Sequence, residues 1–406
     1  MFISENENDL QTLLFIVQNW CHKWRLQVNL SKTNIIHIRK KRQQQSRFTF
    51  LFNNRPVSYV KQYKYLGVII DEHLDFKVTI GHSVNSAGRA LSTIITKMIK
   101  NGGLPFNVYS LLYNSCVVSI ADYSAALTGF EENEALLQLH MRALRAFLGV
   151  PKNACNYGIL SEFQMLMPMY RTKLAMIRFF HRVLKMNENS LPKKLYLWDR
   201  HLYANRNLSC WSHEVQSIFE SCNCRAIFDS HSIFNLRETI KSMTVTMLNQ
   251  QRDIIAHECA SKPKLRTFIS FKVFETGESY ITKPISFIQR RILARLRLGC
   301  LPLRIETGRY QVPRLPEEQR TCQVCPPDEQ QLVIPIESEH HFMFNCRAYE
   351  TERKAWFNSE NIPENFYTLT DGERFKAVFS NPTHLKHVAN YILAALSVRS
   401  RLLLLT

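Results

Sequence analysis

The hydrophobic period of this chain turns from helical to β-rich after Asn29 and back to helical near His82, and the second change limits what it can fold into. Before it, short β-rich runs alternate with turns. Asn34-Ile35-Ile36-His37-Ile38 ends in the basic turn Arg39-Lys40-Lys41-Arg42, and Phe48 to Phe52, Asn53-Asn54 and Val57 to Tyr59 predict a hairpin. Tyr63 to Asp71 predicts a further strand. One helix precedes them: Asn6 or Asn8 can cap it, and Leu10, Leu13, Leu14, Val17 and Trp20 or Cys21 follow at helical spacing, with Trp24 a turn later. Both tryptophans are expected to be core anchors. After His82 the apolar spacing is helical over 87–99, 107–118, 133–148 and 160–186, with Gly102-Gly103, Gly129 and Gly149-Val150-Pro151 as breaks. From 187 to 284 only short helices and loops are predicted. A strong helix resumes over 285–298 and stops at Gly299; Pro302, Gly308, Pro313 and Pro316 predict an extended connector to Cys322. Residues 388–398 read as a buried helix that Leu402 to Leu405 complete. The fold class expected is α+β: a helix with antiparallel strands, then a mostly α-helical remainder.

Charge narrows the partners. The 406 residues carry 52 Lys and Arg against 34 Asp and Glu, a net charge of +18. From Leu10 to Ile70 there is no carboxylate and there are eleven Lys and Arg, a surface that attracts polyanions, so RNA and DNA are the expected partners. Met1-Phe2-Ile3 runs into Ser4-Glu5-Asn6-Glu7, which is not a secretory signal. The expected compartment is therefore intracellular and reducing, nucleus or cytoplasm, with the eleven cysteines as thiols or metal ligands. No apolar run approaches the roughly eighteen residues that span a bilayer, so no membrane partner is expected.

The Cys322-x-x-Cys325 pair, a fifteen-residue loop and His341-x-x-x-x-Cys346 have the spacing of a tetrahedral Cys₃His site for structural Zn²⁺. His340 competes with His341 for the third position. Four protein ligands close such a site, so no hydrolysis is expected there. Cys210, His213, Cys222 and Cys224 are spaced too irregularly for a second site. Arg290, Arg291, Arg295, Arg297, Arg304, Arg309 and Arg314 precede the knuckle, opposed only by Glu306. Arginine suits bidentate phosphate contacts, and Tyr310 and Phe287 offer stacking faces, so this run is expected to contact nucleic acid. Arg142, Arg145, Arg171, Lys173, Arg178 and Arg182 form a weaker basic set.

Several of these residues fall in the order of one family. Trp20, Trp24, Asn29, Lys32, Thr33 and Tyr65-Leu66-Gly67, followed far downstream by Leu296-Arg297-Leu298-Gly299-Cys300-Leu301-Pro302-Leu303 and the Cys/His element, resemble the C-terminal half of non-LTR (LINE-type, jockey-like) retrotransposon reverse transcriptases. The family's Glu-His-Phe pattern favours His341 as ligand. The resemblance implies a palm remnant over 1–78, a helical thumb over 79–186, a connector over 187–282, a basic helix with zinc knuckle over 283–358 and a helical tail over 359–406. It implies that Lys32 stands on the pyrophosphate side, that Lys64, Tyr65 and Gly67 belong to the strand gripping the primer, and that the weaker basic set tracks a duplex. Gly67 would admit a nucleic-acid backbone.

The family holds its two Mg²⁺ with aspartates on an Ala-Asp-Asp strand and on an earlier strand. Met1 to Glu5 resembles the residues just after that pair, and Asp71, Asp75 and Asp122 match nothing catalytic. Mg²⁺ is thus expected only in the intact enzyme, no catalytic residue is expected here, and association with the missing N-terminal polymerase/endonuclease half is implied. The expected function is to position template and primer for target-primed reverse transcription. The alternative is a co-opted, zinc-stabilised helical scaffold with a protein partner.

Overall fold

The computed structural model describes residues 1–130, 132–206, 210–325, 334–360, 362, 364–381 and 383–405. They divide into two compact units, one of residues 1–86 with 120–124 and one of residues 87–119 with 125–406. Few short strands accompany many helices, which makes the chain α+β with a helical bulk.

In the first unit, helix α1 (Glu7–Lys23) begins where Asn6 accepts from the Asp9 amide, with Glu7 and Asp9 in its first turn. Its inner face sets Leu10, Leu14 and Val17 against Ile35, Phe50, Phe52 and Val57. The strands are β1 (Asn34–Ile35), β2 (Leu51–Phe52), β3 (Arg55–Pro56), β4 (Ser58–Tyr59), β5 (Gln62–Tyr65) and β6 (Val68–Asp71). The β2–β3 hairpin turns on Asn53 and Asn54 at φ 51° and 55°, where asparagine tolerates the left-handed region. Gln11 holds both backbone groups of Leu51, at 2.8 and 2.9 Å, and Gln18 accepts from the Asn53 amide, so helix side chains satisfy the edge of β2.

Three expectations for this unit are corrected. First, β1 pairs with β4 in parallel rather than antiparallel. Second, Tyr63 to Asp71 is not one strand but the hairpin β5–β6, reversed at Leu66 and Gly67 with φ 47° and 89°. A left-handed pair at Leu-Gly converts what reads as one apolar run into two paired strands. Third, Trp20 and Trp24 are 54% and 61% exposed, not core anchors. The strands are covered by the Leu10, Leu14 and Val17 face, which leaves Ile16, Trp20 and Trp24, four residues apart in turn, on the other side.

Helix α2 (Phe76–Lys100) leads into the second unit, followed by α3 (Phe106–Leu112) with a π-helical continuation over Tyr113–Val118, and α4 (Glu134–Leu148) capped by Asn133 and ended by left-handed Gly149. The helix expected over 160–186 is two, α5 (Asn156–Glu162) and α6 (Pro168–Lys185). Pro168 starts α6 because its fixed φ suits a first turn and it has no amide to satisfy. Gln251 spans the break, accepting from the Met167 amide at 2.8 Å and donating to the Met165 carbonyl at 2.9 Å.

That glutamine belongs to an element absent from the sequence-based expectation. After α7 (Leu191–Arg206) and α8 (Trp211–Ser221) comes α9 (Leu236–Ala260), a helix of 25 residues. Its buried stripe is Thr239, Met243, Met247, Gln251, Ile255 and Cys259, one residue per turn. Three of those six are not aliphatic, so the apolar periodicity is diluted although the spacing is regular. Further helices are α10 (Arg266–Phe271), α11 (Phe287–Arg297), α12 (Glu350–Glu360), α13 (Asp371–Ser380) and α14 (Leu385–Leu405), beside several of five residues or fewer. Ser286 and Gln289 form a capping box for α11, which packs on α4 and α14; α9 packs on α5 and α6. No helix among the described residues is long and apolar enough to cross a membrane.

The interior of this unit is cross-linked by charge. Arg297 of α11 forks onto Glu162 of α5 with two bonds of 3.0 Å and reaches Glu278 at 2.7 Å. Lys272 meets Glu278 at 2.6 Å, and Tyr280 donates to Glu162. Burial alone would strip charge from Arg297, but Glu162 and Glu278 outweigh it and hold the guanidinium above its ordinary pKa. Two cations and two carboxylates balance here. Arg297→Met should cost about 3–5 kcal/mol, because it leaves Glu162 buried without its partner. Adding Glu162→Leu should recover part of that loss, since Lys272 still neutralises Glu278 while the Tyr280 hydroxyl loses its acceptor. Urea denaturation of the single and double variants at neutral pH measures both effects.

Candidate metal centre

The second unit brings together four side chains from one short segment, Cys322 to Cys346. Ligand atoms of Cys322, Cys325, His341 and Cys346 all lie within 4.8 Å of one another. Cys322 Sγ and Cys346 Sγ are 3.9 Å apart, about the edge of a tetrahedron whose metal–sulfur distance is about 2.3 Å. Among the described residues no other group of His, Cys, Asp and Glu side chains is close enough to hold a metal. The loop joining Cys325 to His341 lies largely outside the described residues.

Local backbone geometry builds the site. The Cys322 amide donates to the Pro335 carbonyl at 2.8 Å, and Thr321 and Ile336 form an antiparallel bridge that sets the first cysteine beside the returning chain. The segment His341–Asn345 is a π turn, closed by the Cys346 amide on the His341 carbonyl at 2.8 Å, which returns the last cysteine toward the histidine. Such a wide turn leaves carbonyls without helical partners, and neighbours satisfy them. Arg353 of α12 donates to the carbonyls of Met343 and Cys346, while the Tyr391 hydroxyl of α14 donates to those of Phe342 and Met343.

Two carboxylates anchor the chain just before the turn. Glu337 takes a bidentate bond from Arg399 of α14 at 2.7 and 2.9 Å and accepts from the Arg304 amide. Glu339 takes two bonds of 2.8 Å from Arg266 of α10 and a third from Thr267 at 3.0 Å. Spacing of cysteines and histidines says nothing about these supports. Their one sequence signal is the helical placement of Arg353, two turns beyond Cys346.

The residues fit a metal. His341 Nε2 is buried and has no hydrogen-bond partner within the protein, a position a metal would satisfy. The Cys322 thiol is held well below its ordinary value, first because the Cys346 thiol donates to it; the same bond pushes Cys346 up. The pocket thus favours a thiolate, the form that binds metals. His340, the competitor for the third position, points elsewhere: its Nε2 meets Asp371 at 2.6 Å, and its ring packs on Phe344.

The expected nucleic-acid arginines separate into interior and rim. Arg290 and Arg297 are each 2% exposed and are not available to a phosphate. Arg290 lies 3.7 Å over the Phe147 ring and donates to the Phe147 and Leu104 carbonyls; burial lowers its pKa to about 10. Its position on α11 faces α4, so the alignment that reads as a charge run divides between a buried and an open face. Arg295 is half-buried and donates to the Gly149 carbonyl, while the stem of Arg291 lies against Gly149, where an added Cβ would meet Arg291 Cγ at 2.8 Å. Arg309 meets Glu306 and the Pro263 carbonyl, and Arg304 donates to Gln311. Arg314 is exposed.

In the first unit Lys32, Lys64, Tyr65 and Gly67 are all exposed. The Tyr63 hydroxyl donates to the Lys32 carbonyl at 3.0 Å, tying the β5–β6 hairpin to the turn that carries Lys32. Gly67 has another tenant: a Cβ there would stand 3.0 Å from the ring of Tyr123, whose hydroxyl donates to the Leu66 carbonyl. Its missing side chain leaves room for that ring within the unit. Asp71 is spent on its own turn, accepting from the His73 amide and the Gln62 amide side chain.

Comparison with models of known protein families, with curated proteins and with solved structures finds no match. What stands without analogy is a Cys₃His cluster able to hold a metal ion. Cys325→Ser should lower bound metal from about one per chain to near zero by elemental analysis. It should raise amide exchange around 334–346 while α4, α6 and α9 stay protected; unchanged metal content would remove the cluster from consideration.

Proposed function

We propose that this chain is a nucleic-acid-binding segment akin to the C-terminal half of a non-LTR reverse transcriptase, braced by a structural Zn²⁺. The observation carrying the proposal is the exposed basic and aromatic surface of the first unit. Lys32, Lys64, Tyr65, Trp20 and Trp24 are all open to solvent on a stretch that has no carboxylate from Leu10 to Ile70. Unopposed cations contact phosphates, and open aromatic rings accept unpaired bases. Zinc follows from the donor set: three thiolates and an imidazole suit a borderline-soft ion, and four protein ligands leave no position for a substrate. Its work is to hold the 322–346 segment on α12 and α14. In this reading the chain positions template and primer for target-primed reverse transcription and does not itself join nucleotides.

A second reading has its own support. Ile16, Trp20 and Trp24 form an apolar stripe along the open face of α1, the kind of face a partner protein covers. Salt separates the two, because phosphate contacts weaken steeply with ionic strength while apolar burial hardly responds. Fluorescence anisotropy with a short single-stranded RNA should show steep salt dependence, and Lys32→Glu with Lys64→Glu should weaken binding by more than about tenfold at low salt. Salt-insensitive binding, or none to the unmodified chain, would count against the nucleic-acid reading.

A further inference from the structure

A cleft in the second unit has the features of a ligand site. It is an open groove of about 530 Å³ between α6 and the start of α9. Arg178, His181 and Lys185 reach it from one face of α6, spaced three and four residues apart, and Arg237 faces them from α9. Phe234, Leu236 and Ile240 give it an apolar floor, and no carboxylate lines it. Glu238, the next residue in the chain, is not part of the lining.

Two facts set this cleft apart from an ordinary solvated groove. Arg178, Lys185 and Arg237 have no hydrogen bond or ion pair among the described residues, so three positive charges converge with nothing opposing them. The frame between them is fixed. His181 is 6% exposed, donates or accepts through Nε2 at 3.0 Å from the Phe234 carbonyl, and packs edge-on to the Phe234 ring at 4.9 Å. Phe234 is held in turn by Phe180 and Phe219. Unpaired cations are thus presented on two helices, around an aromatic ring in the turn before α9 that its neighbours hold in place.

We infer that this cleft binds one unpaired nucleotide, its phosphate on Arg178, Lys185 and Arg237 and its base on the Phe234, Leu236 and Ile240 floor. An inorganic phosphate is too small for the space and would leave the floor wet. A three-residue floor with one aromatic ring suits a single ring system better than an extended acyl chain. Pockets of this size commonly take molecules as large as a nucleotide. The inference does not use the first-unit surface, so either can fail without the other.

Calorimetric titration of the full chain with adenosine monophosphate tests it. Binding is expected, with adenosine, which lacks the phosphate, at least about tenfold weaker. Arg178→Ala and Lys185→Ala are exposed changes that leave the packing alone; each should weaken the nucleotide by about tenfold. RNA affinity lost through Lys32→Glu should be unaffected by them. No nucleotide binding at millimolar concentration, equal affinity for adenosine, or uptake of octyl phosphate without uptake of the nucleotide would overturn the inference.

Discussion

A guanidinium taken out of water must find partners for its charge and its donors, and the second unit is organised around meeting that demand. Arg297 joins α11 to α5 through Glu162, Arg399 joins α14 to the segment before the π turn through Glu337, and Arg266 joins α10 to the same segment through Glu339. Arg290, Arg320 and Arg353 instead satisfy main-chain carbonyls that no helix or sheet has paired. Each interaction spans elements that short-range propensity would leave independent. The planar fork of arginine is suited to the task, since it fixes direction as well as distance. The metal ligands inherit this order: the chain reaches His341 with Glu337 and Glu339 already held.

The same demand changes the meaning of the chain's basicity. A net charge of +18 does not describe a uniformly cationic surface. Part of the arginine of the second unit is internal cross-linking, whereas Lys32 and Lys64 of the first unit are exposed on a stretch without acids, although Arg39 there pairs with Glu72. The two halves therefore use one residue class for different ends. The lysine-bearing surface of the first unit and the unpaired cations of the α6–α9 cleft carry charge that a ligand would meet.

Sequence reading recovered what depends on local pattern. A cap near Asn6 for α1, the span of α4 from Asn133 to Gly149, the approximate extent of α11 before Gly299, the Asn53-Asn54 turn and the four metal-site residues all follow from spacing or from residues with strong conformational preferences. What it missed depends on tertiary contact. Trp20 and Trp24 sit at helical spacing with the core residues of α1, and only the placement of the strands tells which face is inside. Leu66 adopts a left-handed conformation that its identity does not announce. Helix α9 hides its stripe behind Thr239, Gln251 and Cys259. Arg290 and Arg297 differ from Arg291 and Arg295 in nothing but their direction around one helix. Side-chain types record chemistry, while burial records the company those types keep.

The glutamine contacts along β2 carry a consequence of their own. A two-residue strand at the rim of a small sheet offers unsatisfied main-chain groups on which a foreign chain can template. Gln11 and Gln18 occupy those groups from the side of α1. That margin is closed to strand addition as long as the helix stays docked, so fraying of one amphipathic helix, rather than unfolding of the sheet, is the event that would open the unit to fibre growth.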